Sequence, residues 1–220
     1  MESKRLTLPG QWNYEKAYGL AYELAREQLA GTDDIEQQCR RSGAHYQVSD
    51  DSRTILIQYL NQSYLINLPD VRISLVDGAA EVAIRDRILI IHYFNSAKGT
   101  PLANSLITLR ELPEGGGYFP TFSNRTSQPL LNHFAKDPHL LVEVGEKLGG
   151  HKVDYGDAAV TINAFSHVPI TIILWQGDDE LAPQINVVFD ATISDYLYTE
   201  DIVVLCETIT WKMIRYVRRA

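Results

Sequence analysis

The hydrophobic period changes twice along this chain, and that limits the architectures open to it. Near the start, Tyr14, Tyr18, Ala21, Leu24, Ala25 and Leu29 recur at three- and four-residue steps, which predicts an amphipathic helix over 14–30, stopped by Gly31. Near the end, Ile202, Leu205, Cys206, Ile209, Met213 and Tyr216 define one face of a second helix over 199–219. Glu200 and Asp201 stand in its first turn and Arg215, Arg218 and Arg219 in its last, as the helix dipole favours. Between them the pattern shortens. Runs at 54–60 and 63–68 joined through Asn61-Gln62 read as a hairpin, and 71–76 as a third strand. Runs at 106–112, 158–165, 170–175 and 184–189 read as further strands, with short helices at 33–41, 127–134 and 138–148. The segment 85–97 is apolar almost all round and reads as a buried helix, although its isoleucines would also suit a strand. The economical fold is α+β: one domain over 1–220, mostly antiparallel sheet flanked by helices, with residues 1–12 a loosely ordered arm.

Charge and cysteine content narrow the function. Lys and Arg number 20 against 28 Asp and Glu, a net charge of −8, which argues against a nucleic-acid backbone or an anionic membrane as partner. Two cysteines, Cys39 and Cys206, are too few for a disulfide framework or a four-thiolate metal site. Both fall on apolar helix faces and read as core residues. The charged N-terminal stretch lacks the apolar core of a secretory signal, and no run approaches the length of a membrane span, so a cytoplasmic location is expected. The glycine-rich nucleotide-binding, zinc-protease, esterase and paired-cysteine motifs are all missing.

Four features remain as candidates for chemistry. His92 interrupts the most apolar run of the chain, Ile88-Leu89-Ile90-Ile91-His92-Tyr93-Phe94. A buried imidazole must find a hydrogen-bond partner or a ligand, so His92 is either a satisfied core histidine or a pocket residue. The triplet Gly115–Gly117 reads as a flexible turn, and Tyr118, Phe119 and Phe122 behind it could fold over a ligand. Asp178, Asp179 and Glu180 lie between two strands; they offer oxygen ligands for a hard cation, yet also suit an ordinary solvated turn. The six histidines show no local metal-ligand spacing, and no metal site is expected.

Several stretches together resemble an uncharacterised family, domain of unknown function 3786. They are 88–101, 107–122 around the glycines, 148–157 ending Tyr155-Gly156-Asp157, and 169–197 with Trp175-Gln176-Gly177-Asp178-Asp179-Glu180 and Asp190. The resemblance spans about Tyr14 to Leu205. It shifts weight onto His92, Tyr118, Asp157, Trp175, Asp178, Glu180 and Asp190, the polar and aromatic members of those stretches. It also implies an anaerobic bacterial or archaeal setting, and some similar proteins join this domain to iron–sulfur-binding segments. No such cysteine run occurs here, so an iron–sulfur partner would be a separate protein.

Three function classes follow. The first is a non-enzymatic small-molecule-binding domain, with His92, Tyr118, Phe119 and Trp175 on the pocket wall and a tetrapyrrole or corrinoid as the most specific ligand. The second is an accessory protein docking an iron–sulfur or corrinoid partner. The third is a hydrolase or lyase drawing acid and base from Asp157, Asp178, Glu180 and Asp190.

Overall fold

The protein is described by a computed structural model covering residues 9–49 and 52–218. Two antiparallel sheets meet over one shared core. Helix α1 (Pro9–Ala30) and helix α2 (Ile35–Ser42) come first. Asp34 caps α2 by accepting from Gln37 N at 2.8 Å, and Gly43 ends it in the left-handed conformation. A four-stranded meander follows: β1 (His45–Ser49), β2 (Ser52–Tyr59), β3 (Gln62–Leu68) and β4 (Arg72–Leu75), in spatial order β1-β2-β3-β4. Helix α3 (Ile84–Ser96) then leads to β5 (Leu106–Thr108), helices α4 (Gly115–Phe122), α5 (Gln128–Phe134) and α6 (Pro138–Lys147), and β6 (Gly150–Lys152). Strands β7 (Ala158–Phe165), β8 (Val168–Trp175) and β9 (Gln184–Asp190) complete the second sheet, order β5-β9-β8-β7-β6, and α7 (Thr199–Val217) closes the chain's described part.

An α+β fold with antiparallel sheets is therefore what the chain adopts. The three regularly spaced strand runs pair as expected, with Ile172 opposite Val187 and Ile162 opposite Ile170. An aromatic column ties the layers together. Tyr59 of β2 stacks on Phe165 of β7 at 4.9 Å, Phe165 on Tyr93 of α3 at 4.0 Å, and Tyr93 on Tyr196 at 6.0 Å. All four rings are almost fully buried, and each such side chain contributes on the order of 2–3 kcal/mol by leaving water. The column spans both sheets and a helix, so the main core is shared, and only a small cluster of Ala159, Ile173 and Val188 belongs to the second sheet alone.

Several expectations need correction. The first hairpin turns at Leu60-Asn61, both with positive φ (46° and 61°), rather than at Asn61-Gln62. The run at 106–112 is a strand only to Thr108; Leu109–Glu111 winds into a 3-10 turn closed by the Thr108–Glu111 capping box. Strands β1 and β6 escaped the sequence reading because both are short and largely exposed. The expected arm over 1–12 lies outside the described residues up to residue 8, and from Pro9 the backbone is helical.

The largest correction concerns the glycine triplet. Gly115–Gly117 are the first turn of helix α4, which runs through a π turn (Ser123–Ser127) into α5. Gly115 is there for space: a Cβ on it would lie 1.7 Å from the Leu109 carbonyl oxygen. Gly115 is thus the docking point for the preceding 3-10 turn, and the expected flexible turn is helix instead.

Candidate functional site

Arg85, Ile88, Leu89 and His92 fall at three- and four-residue steps and so share one face of α3. That face forms one wall of a cleft of about 260 Å³ whose other walls are Tyr18 and Ala21 of α1 and Glu200, Asp201 and Val204 of α7. The floor is aliphatic and the rim is charged. His92 is part-exposed rather than sealed in the core, with 27% of its side chain open.

What meets the imidazole is Asp201: Nδ1 lies 2.8 Å from its Oδ1. A carboxylate accepts, so Nδ1 is the donor in this bond, and in a neutral ring that leaves Nε2 with the lone pair. Among the described residues Nε2 has no hydrogen-bond partner. The Asp201 side chain is only 11% exposed, so its charge acts on the ring with little screening from water. Arg85 stands 5.3 Å from the Tyr18 ring centroid and pairs with Glu207 at 3.3 Å. Glu207 also meets Arg125 of the π turn at 3.5 Å. Next to Arg85 on α3, Asp86 accepts from Tyr59 Oη at 2.9 Å and from Lys212 at 3.4 Å. A polar seam thus runs between α3 and α7.

The sequence candidates are scattered around this cleft. Of His92, Tyr118, Phe119 and Trp175, only His92 lines it. Tyr118 of α4 is near enough to Glu200 that this carboxylate, with burial and Glu114 adding less, raises its hydroxyl pKa. Phe119 instead lies under the Arg110 guanidinium at 3.8 Å and faces a second cavity along β9. Trp175 ends β8, 37% exposed, opposite Gln184.

The four carboxylates singled out by sequence separate into two ends of the second sheet. Asp157 accepts from Gln176 N at 2.6 Å, where β7 begins and β8 ends. Asp178 sits in the loop beyond and accepts from Glu180 N (2.9 Å) and Leu181 N (2.7 Å), bonds that lower its pKa. Glu180 makes only the backbone contact with Asp178, in the same loop. Asp190 closes β9 at its far end, roughly 20 Å of strand away. It accepts from Ala103 N, Asn104 N, Thr192 N and Thr192 Oγ1 at 2.7–3.0 Å. Burial pushes its pKa up, but those bonds outweigh it and hold the carboxyl below the usual range. Among the described residues no three His, Cys, Asp or Glu converge on a metal-binding arrangement.

Asp201 was the partner the sequence reading missed, having been assigned only to the helix dipole. A signal was present. Asp201 stands four residues before Leu205 and eight before Ile209, on the buried stripe of α7. A carboxylate on such a stripe needs a partner.

Both cysteines are buried; burial pushes the Cys39 thiol to about 11 and Cys206 higher still. No described helix is long and apolar enough to cross a membrane. A family model described as a domain of unknown function, DUF3786, matches residues 34–211. No curated protein and no solved structure matches the chain.

Proposed function

The chain belongs to the DUF3786 family, and from that premise we propose that it is a small-molecule-binding domain whose ligand enters the α1–α3–α7 cleft and meets His92 Nε2. One observation carries the reading: the His92–Asp201 bond of 2.8 Å at the mouth of an aliphatic cleft. Binding sites are typically apolar with a few placed polar groups, and this cleft has that composition. A histidine that ligates a metal commonly donates its other N–H to a carboxylate, which fixes the ring and raises its basicity. His92 has that support, so the specific ligand is one carrying a Lewis-acidic centre or an acidic hydrogen. A metal-centred tetrapyrrole or corrinoid is the first candidate. At about 260 Å³ the cleft is smaller than the roughly 300–1,000 Å³ that encloses a drug-sized ligand, so a macrocycle would insert an edge and leave the rest open. The open part would be the contact point for a separate partner protein.

Among the described residues no serine, threonine or cysteine lines the cleft, which gives hydroxyl or thiol nucleophilic catalysis no support there. The hydrolase reading through Asp157, Asp178, Glu180 and Asp190 finds less support, because each of the three aspartates already accepts backbone hydrogen bonds and the four do not converge.

The test is an absorption titration of the protein with haemin and, separately, with cobalamin. Saturable band shifts that His92→Ala abolishes support the reading. Shifts that survive the substitution, or none with either compound, remove the tetrapyrrole version.

A further inference from the structure

A third cavity, of about 340 Å³, opens where the β2–β3 turn, the end of α6 and the end of α7 meet, and it shares no lining residue with the His92 cleft. Lys147, Lys212 and Arg215 line it together with Asn61, Gln62 and Tyr216, and no acidic side chain does. In a chain of net charge −8 that grouping is against the trend.

The orientation of its polar groups matters more than the count. Tyr64 Oη donates to Gln62 Oε1 at 3.1 Å, which occupies the amide oxygen and leaves the amide's N–H groups for another acceptor. Arg215 donates Nε to the Trp211 carbonyl at 3.1 Å, which steadies the guanidinium while both terminal nitrogens stay unpaired among the described residues. Lys147 meets Glu143 at 3.1 Å and Lys212 meets Asp86 at 3.4 Å; an ammonium has three donors, so each retains others. The groove is therefore richer in donors than in acceptors, the Asn61 amide oxygen and the Tyr216 hydroxyl being the side-chain acceptors left in its lining.

Dipole compensation explains why Lys147 and Arg215 stand in the last turns of α6 and α7. It does not explain Lys212, nor the turned amide of Gln62. The turn itself is costly to make. Leu60 and Asn61 both take positive φ without being glycine, and such strain persists where the surroundings impose it. Gly149, at φ +77°, lets the turn close in: a Cβ there would lie 2.8 Å from Asn61 Cβ. The backbone is thus shaped to bring Asn61 and Gln62 up to the three cations.

We infer that this groove is an oxyanion site for a phosphorylated small molecule, the phosphate held by Lys147, Lys212 and Arg215 and the apolar remainder resting on Leu60, Leu148 and Tyr216. A phosphate carries a charge of about −1.5 to −2 and three acceptor oxygens, which suits a donor-rich groove with three cations better than a single carboxylate does.

The whole chain should be titrated with inorganic phosphate, pyrophosphate and phenyl phosphate at low ionic strength, followed calorimetrically and by amide chemical shifts. Phenyl phosphate is expected to bind more tightly than inorganic phosphate, with shifts centred on Gln62, Lys147 and Arg215. Arg215→Gln is expected to weaken it about tenfold, the loss of one charge-assisted contact, and so is Lys147→Gln. Arg215 and Lys147 are both exposed, so an unchanged thermal melt certifies that each variant folds. Dissociation constants above about 1 mM for all three probes, or binding indifferent to both substitutions, overturn the assignment. Binding to phosphatidic acid vesicles with none to the soluble esters overturns it too, because it moves the site to a lipid headgroup.

Discussion

Asp190 and Asp201 are both buried carboxylates on the edge of a secondary-structure element, yet they do opposite work. Asp190, 4% exposed at the end of β9, takes four hydrogen bonds from Ala103, Asn104 and Thr192. Every bond goes to its own corner, so it pins the 102–104 segment to the sheet and has nothing left to offer. Asp201, 8% exposed in the first turn of α7, spends its one side-chain bond among the described residues on a histidine that lines a cleft. Burial alone therefore does not mark a functional carboxylate. The identity of the donor separates the two: backbone amides consume the charge locally, whereas on the proposed reading an imidazole ring would pass its effect on to a ligand.

The comparison breaks most directly at Asp190. Asp190→Asn keeps the shape but removes the charge and turns one acceptor into a donor facing backbone N–H groups. Charge-assisted bonds contribute on the order of 1.5–3 kcal/mol each and are not additive, so a loss of about 3 kcal/mol by urea unfolding is expected. A loss under about 1 kcal/mol would mean the corner is held by something other than the carboxylate.

Acid sharpens the same point. Asp190 and Asp195 both have pKa values below their ordinary ones: at Asp190 hydrogen bonding overcomes burial, and at Asp195 the Lys98 and Thr100 bonds dominate. A carboxyl depressed in the folded state adds stability above its unfolded pKa of about 3.9, and that stability disappears as pH falls through the folded value. Unfolding free energy should therefore fall between about pH 5 and pH 2 in the parent protein. It should fall less steeply in Asp190→Asn. Parallel slopes in the two proteins would deny Asp190 its linkage role.

How much of this was readable beforehand follows the same division between local and distant causes. The strands β7, β8 and β9 announce themselves because each is a self-contained apolar run ended by turn residues. Helix α3 was legible from its apolar run, and α7 from its stripe and its charged ends. Helix α4 was not, because three glycines and Pro120 are breakers by propensity, and only the approach of Leu109 shows why Gly115 is required. At the cleft, His92 stood out as a polar residue in an apolar run. Its partner lies 109 residues later, and no local pattern joins the two.

Asp201 should behave as the smaller structural and larger functional loss. Asp201→Asn keeps a hydrogen-bonding side chain beside His92, so a cost of about 1 kcal/mol is expected, a fall in Tm of roughly 2–4 °C. Removing a carboxylate that orients a ligating histidine typically lowers ligand affinity by about 10–100-fold. The haemin or cobalamin titration read on this variant should show that loss while the melt stays near the parent's. A variant that unfolds as readily as Asp190→Asn, with unaltered binding, would put Asp201 in the same structural class as Asp190.

The smallest effect is expected at the acidic loop, the third kind of carboxylate in the molecule. Asp178 is fully in water, and its two bonds go to the amides of Glu180 and Leu181 within its own turn. Asn makes the same turn contacts through its side-chain oxygen, so Asp178→Asn should move Tm by no more than about 2 °C. Asp179 and Glu180 stand beside it in the loop, but a hard cation needs about six oxygens held at short range, and here one carboxylate is already committed to the backbone. Calorimetric titration with magnesium, calcium and manganese should accordingly show no binding tighter than about the millimolar range. Micromolar affinity lost in Asp178→Asn would show that a solvated turn carboxylate can outrank the His92–Asp201 pair, and the hydrolase reading would then take precedence over ligand binding.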